Sequence, residues 1–260
     1  MAVDSRGTSV SQSFVGHSQA CEWDIACHGF AKADVTAIGS MRRQFAESWT
    51  GPGKGSMRHM EDQTVAALEA VRAARCGSSG LTFDQWAVLG CPILPGRATF
   101  SENLGRYAKE GAFAISPQVI PQCSLHSLPG QLSIVLGAHG PNLGVGGWPG
   151  TEHQVWSTAW SMEKAVEPEG FWLIWSCRES DISGPPGSDS VKALALAVHK
   201  PKPDSCAKWR VSMDHRQEKS SASWCPWKLA DMLDGNGNGG PFSMTCGAFG
   251  LRFVPLGGHA

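Results

Sequence analysis

Residues 126–147, HSLPGQLSIVLGAHGPNLGVGG, decide the fold that we expect for this chain. Leu128, Leu132 and Val135 recur at helical spacing and predict a helix over residues 127–136. Residues 142–145 then read as a short strand, which runs into a glycine-rich corner that ends at Gly150. A helix, a strand and a turn in this order indicate part of a layered α/β domain.

The flanks continue this alternation of helices and strands. The runs FWLIW (171–175) and ALALAV (193–198) are continuously apolar, which is typical of strands covered on both faces. Further helices are predicted over residues 61–75, 101–109 and 151–166, and further strands over 86–89, 209–213 and 251–254. The 61–75 helix is rich in alanine and can pack closely on a sheet. We therefore expect an α/β fold with a mixed, mostly parallel sheet and helices on both faces.

Composition excludes several classes of partner. The 260 residues include 22 basic and 23 acidic side chains, so no general attraction to nucleic acid or to acidic membranes is expected. No apolar run reaches the length of a membrane span or of a signal peptide. We expect a cytoplasmic protein with one large α/β domain.

The nine cysteines form no C-x-x-C pair, and their spacing is irregular. Cys21, Cys27 and His28 cluster loosely without an evident fourth ligand, so no metal and no cofactor is predicted. Cys123 and His126 are three residues apart and could meet on one helical turn. We interpret that pair as a half-buried thiol beside a surface imidazole.

The residues of the 126–147 stretch resemble the signature of the β-ketoacyl synthases. That family runs from a helix through a GL-x-GPN-x-TV motif and a strand into its nucleophile turn. The matching residues are Gln131, Ser133, Ile134, Gly137, Gly140, Pro141, Asn142 and Val145. The resemblance covers roughly residues 58–213 and is strongest to the short, divergent β-ketoacyl synthase-like N-terminal group. It implies the N-terminal half of a thiolase-like fold.

This resemblance implies a division of the chain into three parts. Residues 1–20, which are polar and rich in Ser and Gly, are expected to form a flexible arm. Residues 21–215 are expected to form the ketosynthase-like N-terminal domain. Residues 216–260 are expected to be a glycine-rich tail that contains an edge strand.

The position of the family's nucleophilic cysteine is occupied by Pro149 in this register. In the family, the thiol lies at a helix N-terminus that lowers its pKa, and its backbone N–H helps to form the oxyanion hole. Proline supplies neither group, although it suits the first turn of a helix. The family's two catalytic histidines come from its C-terminal half, and His126, His139 and His153 match neither position. No catalytic residue is therefore predicted, and the candidates for an acyl pocket or oxyanion corner are Gly146, Gly147, Trp148, Pro149 and Gly150.

The resemblance implies a role in fatty acid or polyketide biosynthesis as a non-catalytic partner subunit. A half fold would leave the helix after the corner partly exposed, so Val155, Trp156 and Trp160 are the interface candidates. We expect a homodimer or a heteromer with a ketosynthase, and a possible acyl carrier protein as a further partner. Two alternatives stay open: an active condensing acyltransferase that takes residues from a partner chain, and a structural protein without an acyl ligand.

Overall fold

A computed structural model describes residues 21–48, 59–76, 81–117, 119–182, 189–203, 205, 207–214, 223–235, 240–246 and 249–256. The arm predicted over residues 1–20 lies outside these ranges. Along the described chain the elements are β1 (Cys21–Asp34), α1 (Val35–Ser48), α2 (Asp62–Arg75), β2 (Trp86–Pro92), α3 (Arg97–Glu110), a 3-10 turn (Ala112–Ala114), α4 (Val119–Gln122), α5 (Ser127–Leu136), β3 (Asn142–Gly144), α6 (Gln154–Ala165), β4 (Gly170–Arg178), α7 (Glu179–Ile182), β5 (Ser190–His199), β6 (Trp209–Asp214), α8 (Pro226–Leu233), β7 (Phe242–Cys246) and β8 (Phe249–Pro255).

The eight strands form one sheet in the order β3-β2-β4-β5-β1-β6-β8-β7. Among the described strands, only the pairs β2–β3 and β2–β4 are parallel, and the other five pairs are antiparallel. The α/β class is confirmed, but the sheet is mostly antiparallel, and the expectation of a mostly parallel sheet is wrong in this detail. An apolar run indicates that a strand is buried, but it does not indicate whether the strand is parallel or antiparallel to its neighbours.

Helices cover both faces of the sheet, as predicted. On one face, α1, α2 and α5 pack on Val88, Trp172 and Ala195. On the other face, α6 and α8 pack on Leu89, Trp175 and Leu196. Alternate residues of β2, β4 and β5 therefore face opposite cores, and every residue of β2 is buried.

The central strand β1 was not predicted from the sequence, and a β-bulge explains why. The register of β1 against β5 shifts between Ile25 and Cys27. Trp23 and Ile25 belong to the core beside α6, whereas Cys27 and Ala31 belong to the core beside α2. One extra residue moves the odd-numbered side chains to the other face, so the alternation that marks a strand is interrupted.

The chain after residue 222 joins the same sheet. The strand expected at residues 251–254 is part of β8, which pairs with β6 on one side and β7 on the other, so the edge strand here is β7. Helix α8 adds Leu229, Ala230 and Leu233 to the core beside α6. None of the helices in the described ranges has both the length and the apolar character needed to cross a membrane.

Candidate functional site

The glycine-rich corner lies where β2 and β3 end, at the carboxyl edge of the parallel strands. Val145 N donates a hydrogen bond to Gly90 O at 2.8 Å, and Leu94 N donates to Gly147 O at 2.9 Å. The backbone enters the left-handed region at Gly146 (φ 72°) and Gly147 (φ 92°). A Cβ atom on Gly147 would lie 2.4 Å from a Leu125 methyl, so both the conformation and the space call for glycine.

Pro149 occupies a β-turn rather than a helix. Thr151 N donates to Trp148 O at 3.0 Å, and Gly150 has a φ of 89°. This is the pattern of a type II turn, in which proline favours the second position and glycine the third. Helix α6 begins only at Gln154, three residues later than predicted. Pro149 therefore lies in the turn that precedes the helix.

The cysteines of the core beside α6 are buried, and burial raises the pKa of each thiol. Burial raises the pKa of Cys91 to about 12, although Gly147 N–H donates a hydrogen bond that acts in the opposite direction. Cys177, in β4, and Cys246, in β7, are also buried, and burial raises the pKa of each to about 12. A nucleophilic cysteine reacts as the thiolate, so these environments oppose acyl transfer.

The Cys123–His126 pair does not come together as a catalytic pair. Cys123 is buried, its pKa is raised to about 11 by burial, and its thiol is hydrogen-bonded to the Thr99 side chain. The ring of His126 instead lies along Gly130 on the next helical turn. Elsewhere, His28 contacts Asp234 at 2.9 Å, and the described part of the chain contains no group of three or more potential metal ligands.

Two of the three interface candidates on α6 are inside this chain's own core. Val155 and Trp156 are 0% exposed, and Trp160 is partly buried against the same core. The ring of Trp156 lies 5.8 Å from that of Trp224, and the ring of Trp160 lies 5.7 Å from that of Phe249. The expectation that α6 needs a partner is corrected, because the chain after residue 222 covers the helix.

A different apolar surface, which was not predicted from the sequence, lies on α3. Helix α3 buries none of its residues, and Phe100, Leu104 and Tyr107 recur on it at helical spacing, with Leu104 67% exposed. We call these three side chains the α3 face. Other large apolar side chains exposed between residues 112 and 148 are Phe113, Ile120, Ile134, Leu143 and Trp148, and Trp148 belongs to the corner itself with 65% exposure. The helical spacing of these residues was visible in the sequence, but the same spacing is typical of a helix face that packs on the protein's own core.

Comparisons with known proteins agree on the fold. No protein-family model matches the sequence, and no curated protein matches it. Among solved structures, the ketosynthase ApeO in complex with its chain length factor ApeC from Xenorhabdus doucetiae aligns over 91% of this chain and 98% of the matched chain, with a TM-score of 0.52 and 14% identity. The two shares mean that the matched chain has nearly the same length as this one.

Two further structures are similar. AntDE:AntF, a type II PKS acyl-carrier protein in complex with its ketosynthase, aligns over 74% of this chain and 68% of that chain, with a TM-score of 0.54 and 14% identity. A beta-ketoacyl synthase from Burkholderia phymatum aligns over 82% of this chain and 69% of that chain, with a TM-score of 0.52 and 10% identity. Identities this low establish architecture and not activity. The chain has the thiolase-like fold of the ketosynthases.

Proposed function

We propose that this chain is a non-catalytic ketosynthase-like subunit that acts in the cytoplasm, in fatty acid or polyketide biosynthesis. It pairs with a second chain, either its own copy or an active ketosynthase. The corner of Gly146, Gly147, Trp148, Pro149 and Gly150 contributes to the wall of an acyl pocket. An acyl carrier protein is a further candidate partner, since one of the similar structures contains such a protein.

The single observation that carries the partner role is the exposed apolar surface around the α3 face. Soluble monomers seldom expose large contiguous apolar patches, and such patches mark interaction sites. Eight large apolar side chains between Phe100 and Trp148 are exposed, and the α3 face contributes three of them.

The geometry of the corner supports the absence of catalysis. A prolyl residue at position 149 offers neither a thiol nor a backbone N–H, and the buried thiols around it hold their protons. The alternative of an active condensing enzyme would require a nucleophile from another chain. No specific contact favours the other alternative, a structural protein without an acyl ligand.

The partner role is tested by changing the α3 face. Leu104→Asp places a charge in the middle of this surface, and we expect it to weaken self-association or heteromer formation at least about tenfold. Sedimentation velocity at micromolar concentration measures the species present, for the chain alone and with a co-purifying ketosynthase. Val166→Asp is the matched control, because Val166 is also exposed but lies at the far end of α6. A wild-type chain that stays monomeric under both conditions would contradict the proposal.

Acyl-enzyme trapping tests the absence of catalysis. We expect no covalent adduct when the chain is incubated with an acyl thioester and its intact mass is measured, since the thiols beside the corner stay protonated. Cys76→Ser removes an exposed thiol that could react without catalysis. A stoichiometric adduct that persists in Cys76→Ser would show an active acyltransferase and reject the non-catalytic role.

A further inference from the structure

A cavity lies between α1, α2 and α5, on the face of the sheet opposite α6. Its volume is about 460 Å³, within the range of about 300–1,000 Å³ that is usual for ligand pockets. The residues that line it are Phe45, Ser48, Leu68, Val71, Arg72, Arg75, Cys76 and Val135. No residue of the glycine-rich corner is among them, so this is a second site.

The walls of the cavity are apolar and continuous with the core. Leu68 and Val71 are only 3% and 2% exposed, and Phe45 and Val135 pack partly buried against the same core. Protein interiors are close-packed and contain few voids larger than a water molecule, so an opening of this size stands out from the rest of the core. Apolar walls offer water few hydrogen-bond partners, and the cavity therefore accepts hydrocarbon more readily than water.

The polar groups at the rim already have partners within the chain. Ser48 Oγ donates a hydrogen bond to Gln44 O at 2.8 Å, inside α1. Arg72 donates to both carboxylate oxygens of Glu69, with its Nε 2.8 Å from Oε2. A bidentate pair of this kind neutralises the guanidinium and holds it in place.

The second arginine of the rim is engaged as well. The guanidinium carbon of Arg75 lies 5.8 Å from the centre of the Phe83 ring, and Arg75 makes a further interaction. None of the eight lining residues is acidic, and the thiol of Cys76 is only a weak hydrogen-bonding group. The lining therefore offers neither an anion nor a cation an unpaired partner, and a charge brought into the cavity would lose its hydration without compensation.

We propose that this cavity binds a neutral, apolar molecule by its hydrocarbon chain. Contact with the walls removes apolar surface of both the ligand and the protein from water, and this burial drives binding. Ser48, Arg72 and Cys76 are exposed at the rim, so the ligand can enter from solvent. The site does not depend on the proposed function of the corner, because the two share no residue.

The first test compares one chain length with three head groups. 1-Decanol is titrated by calorimetry below its solubility limit, and we expect saturable binding of one molecule per chain and an unfolding temperature that rises with its concentration. Decanoate and decylammonium carry the same chain with opposite charges, and neither should bind more tightly than 1-decanol. The absence of saturable 1-decanol binding would overturn the site. Tighter binding of either ion, weakened by added salt, would show that the rim selects a charge and would overturn the neutral class of ligand.

The walls are tested by filling the cavity. Val135→Trp fills it from the α5 side and should weaken 1-decanol binding at least about tenfold. Ile134→Trp is the matched control, because the neighbouring side chain is exposed and does not line the cavity, and it should leave the affinity unchanged. Equal effects of the two variants on 1-decanol binding would show that the ligand does not occupy this cavity.

Cys76 reports where the ligand lies in the unmodified chain, so this result does not depend on how a variant folds. Its thiol is exposed at the rim, and bound 1-decanol should slow its alkylation by iodoacetamide several-fold, as measured by peptide mass spectrometry. Cys225, which is partly exposed outside the cavity, should react at the same rate with and without ligand. Binding without protection of Cys76 would place the ligand elsewhere and reject this site.

Discussion

Replacing Trp156 with alanine should lower the free energy of unfolding by about 3–5 kcal/mol. Its indole is 0% exposed and lies within 6.3 Å, between ring centroids, of four other aromatic rings: those of Trp23, Trp175, Trp224 and Phe253. These partners come from strands and a loop that are distant in sequence. The substitution therefore opens a cavity at the point where the C-terminal segment meets the rest of the fold.

Equilibrium unfolding in urea, followed by far-ultraviolet circular dichroism, measures the effect. Trp156→Phe is the matched control. The buried Nε1 of Trp156 has no hydrogen-bond partner among the residues that the structure describes, so phenylalanine loses ring volume but no hydrogen bond, and a smaller cost of about 1–2 kcal/mol is expected. Trp175→Phe should cost more, since Trp175 Nε1 donates to Glu152 O at 2.8 Å. A loss below about 1 kcal/mol for Trp156→Ala would mean that this indole is exposed to solvent.

The burial of Trp156 also shows how the chain covers α6 with its own residues. Helix α6 lies on β2 and β4, and its two tryptophans contact the rings of Trp224, Phe249 and Phe253. Strand β8 brings the last two into place by pairing with β6. Because the chain covers α6 itself, we place the proposed partner at the exposed α3 face instead.

The long periodic elements could be predicted from the sequence. The alanine-rich helix α2 and the apolar strands β4 and β5 were found close to their observed bounds, because each pattern extends over enough residues to be unambiguous. Strand direction could not be predicted, since an apolar run carries no information about its neighbour's orientation. Strand β1 was missed because its bulge at Ala26 exchanges the two faces in mid-strand.

The turn at the glycine-rich corner was predicted in position but not in detail. The glycines of the corner indicated a turn, and the structure has one. The start of α6 was placed three residues too early, because Thr151 belongs to the turn instead: its hydroxyl donates to Trp148 O at 2.5 Å. The burial of α6 could not be predicted, because it depends on residues about 65 to 100 positions later in the chain that fold back over it.

Gly29→Ala should destabilise the fold as much as a large cavity does, but through steric overlap instead of lost packing. A Cβ atom at Gly29 would lie 2.2 Å from Ala70 O and 2.5 Å from Ala74 N, both backbone atoms of α2. Backbone cannot rotate away as a side chain can, so α2 must shift off β1 and lose contacts along its length. We expect a loss of about 3 kcal/mol or more in the free energy of unfolding.

Gly39→Ala, in α1, separates the clash at Gly29 from the general effect of replacing a glycine with alanine. A Cβ at Gly39 would meet nothing within 4 Å, so alanine there should raise the free energy of unfolding by about 0.5–1 kcal/mol through its better helix propensity. Urea unfolding of the two variants beside wild type gives both values. We expect the two changes in the free energy of unfolding to have opposite signs because α2 lies directly against the backbone of β1. The many alanines of α2 permit this short distance. If Gly29→Ala were as stable as wild type, α2 could not lie this close to the strand.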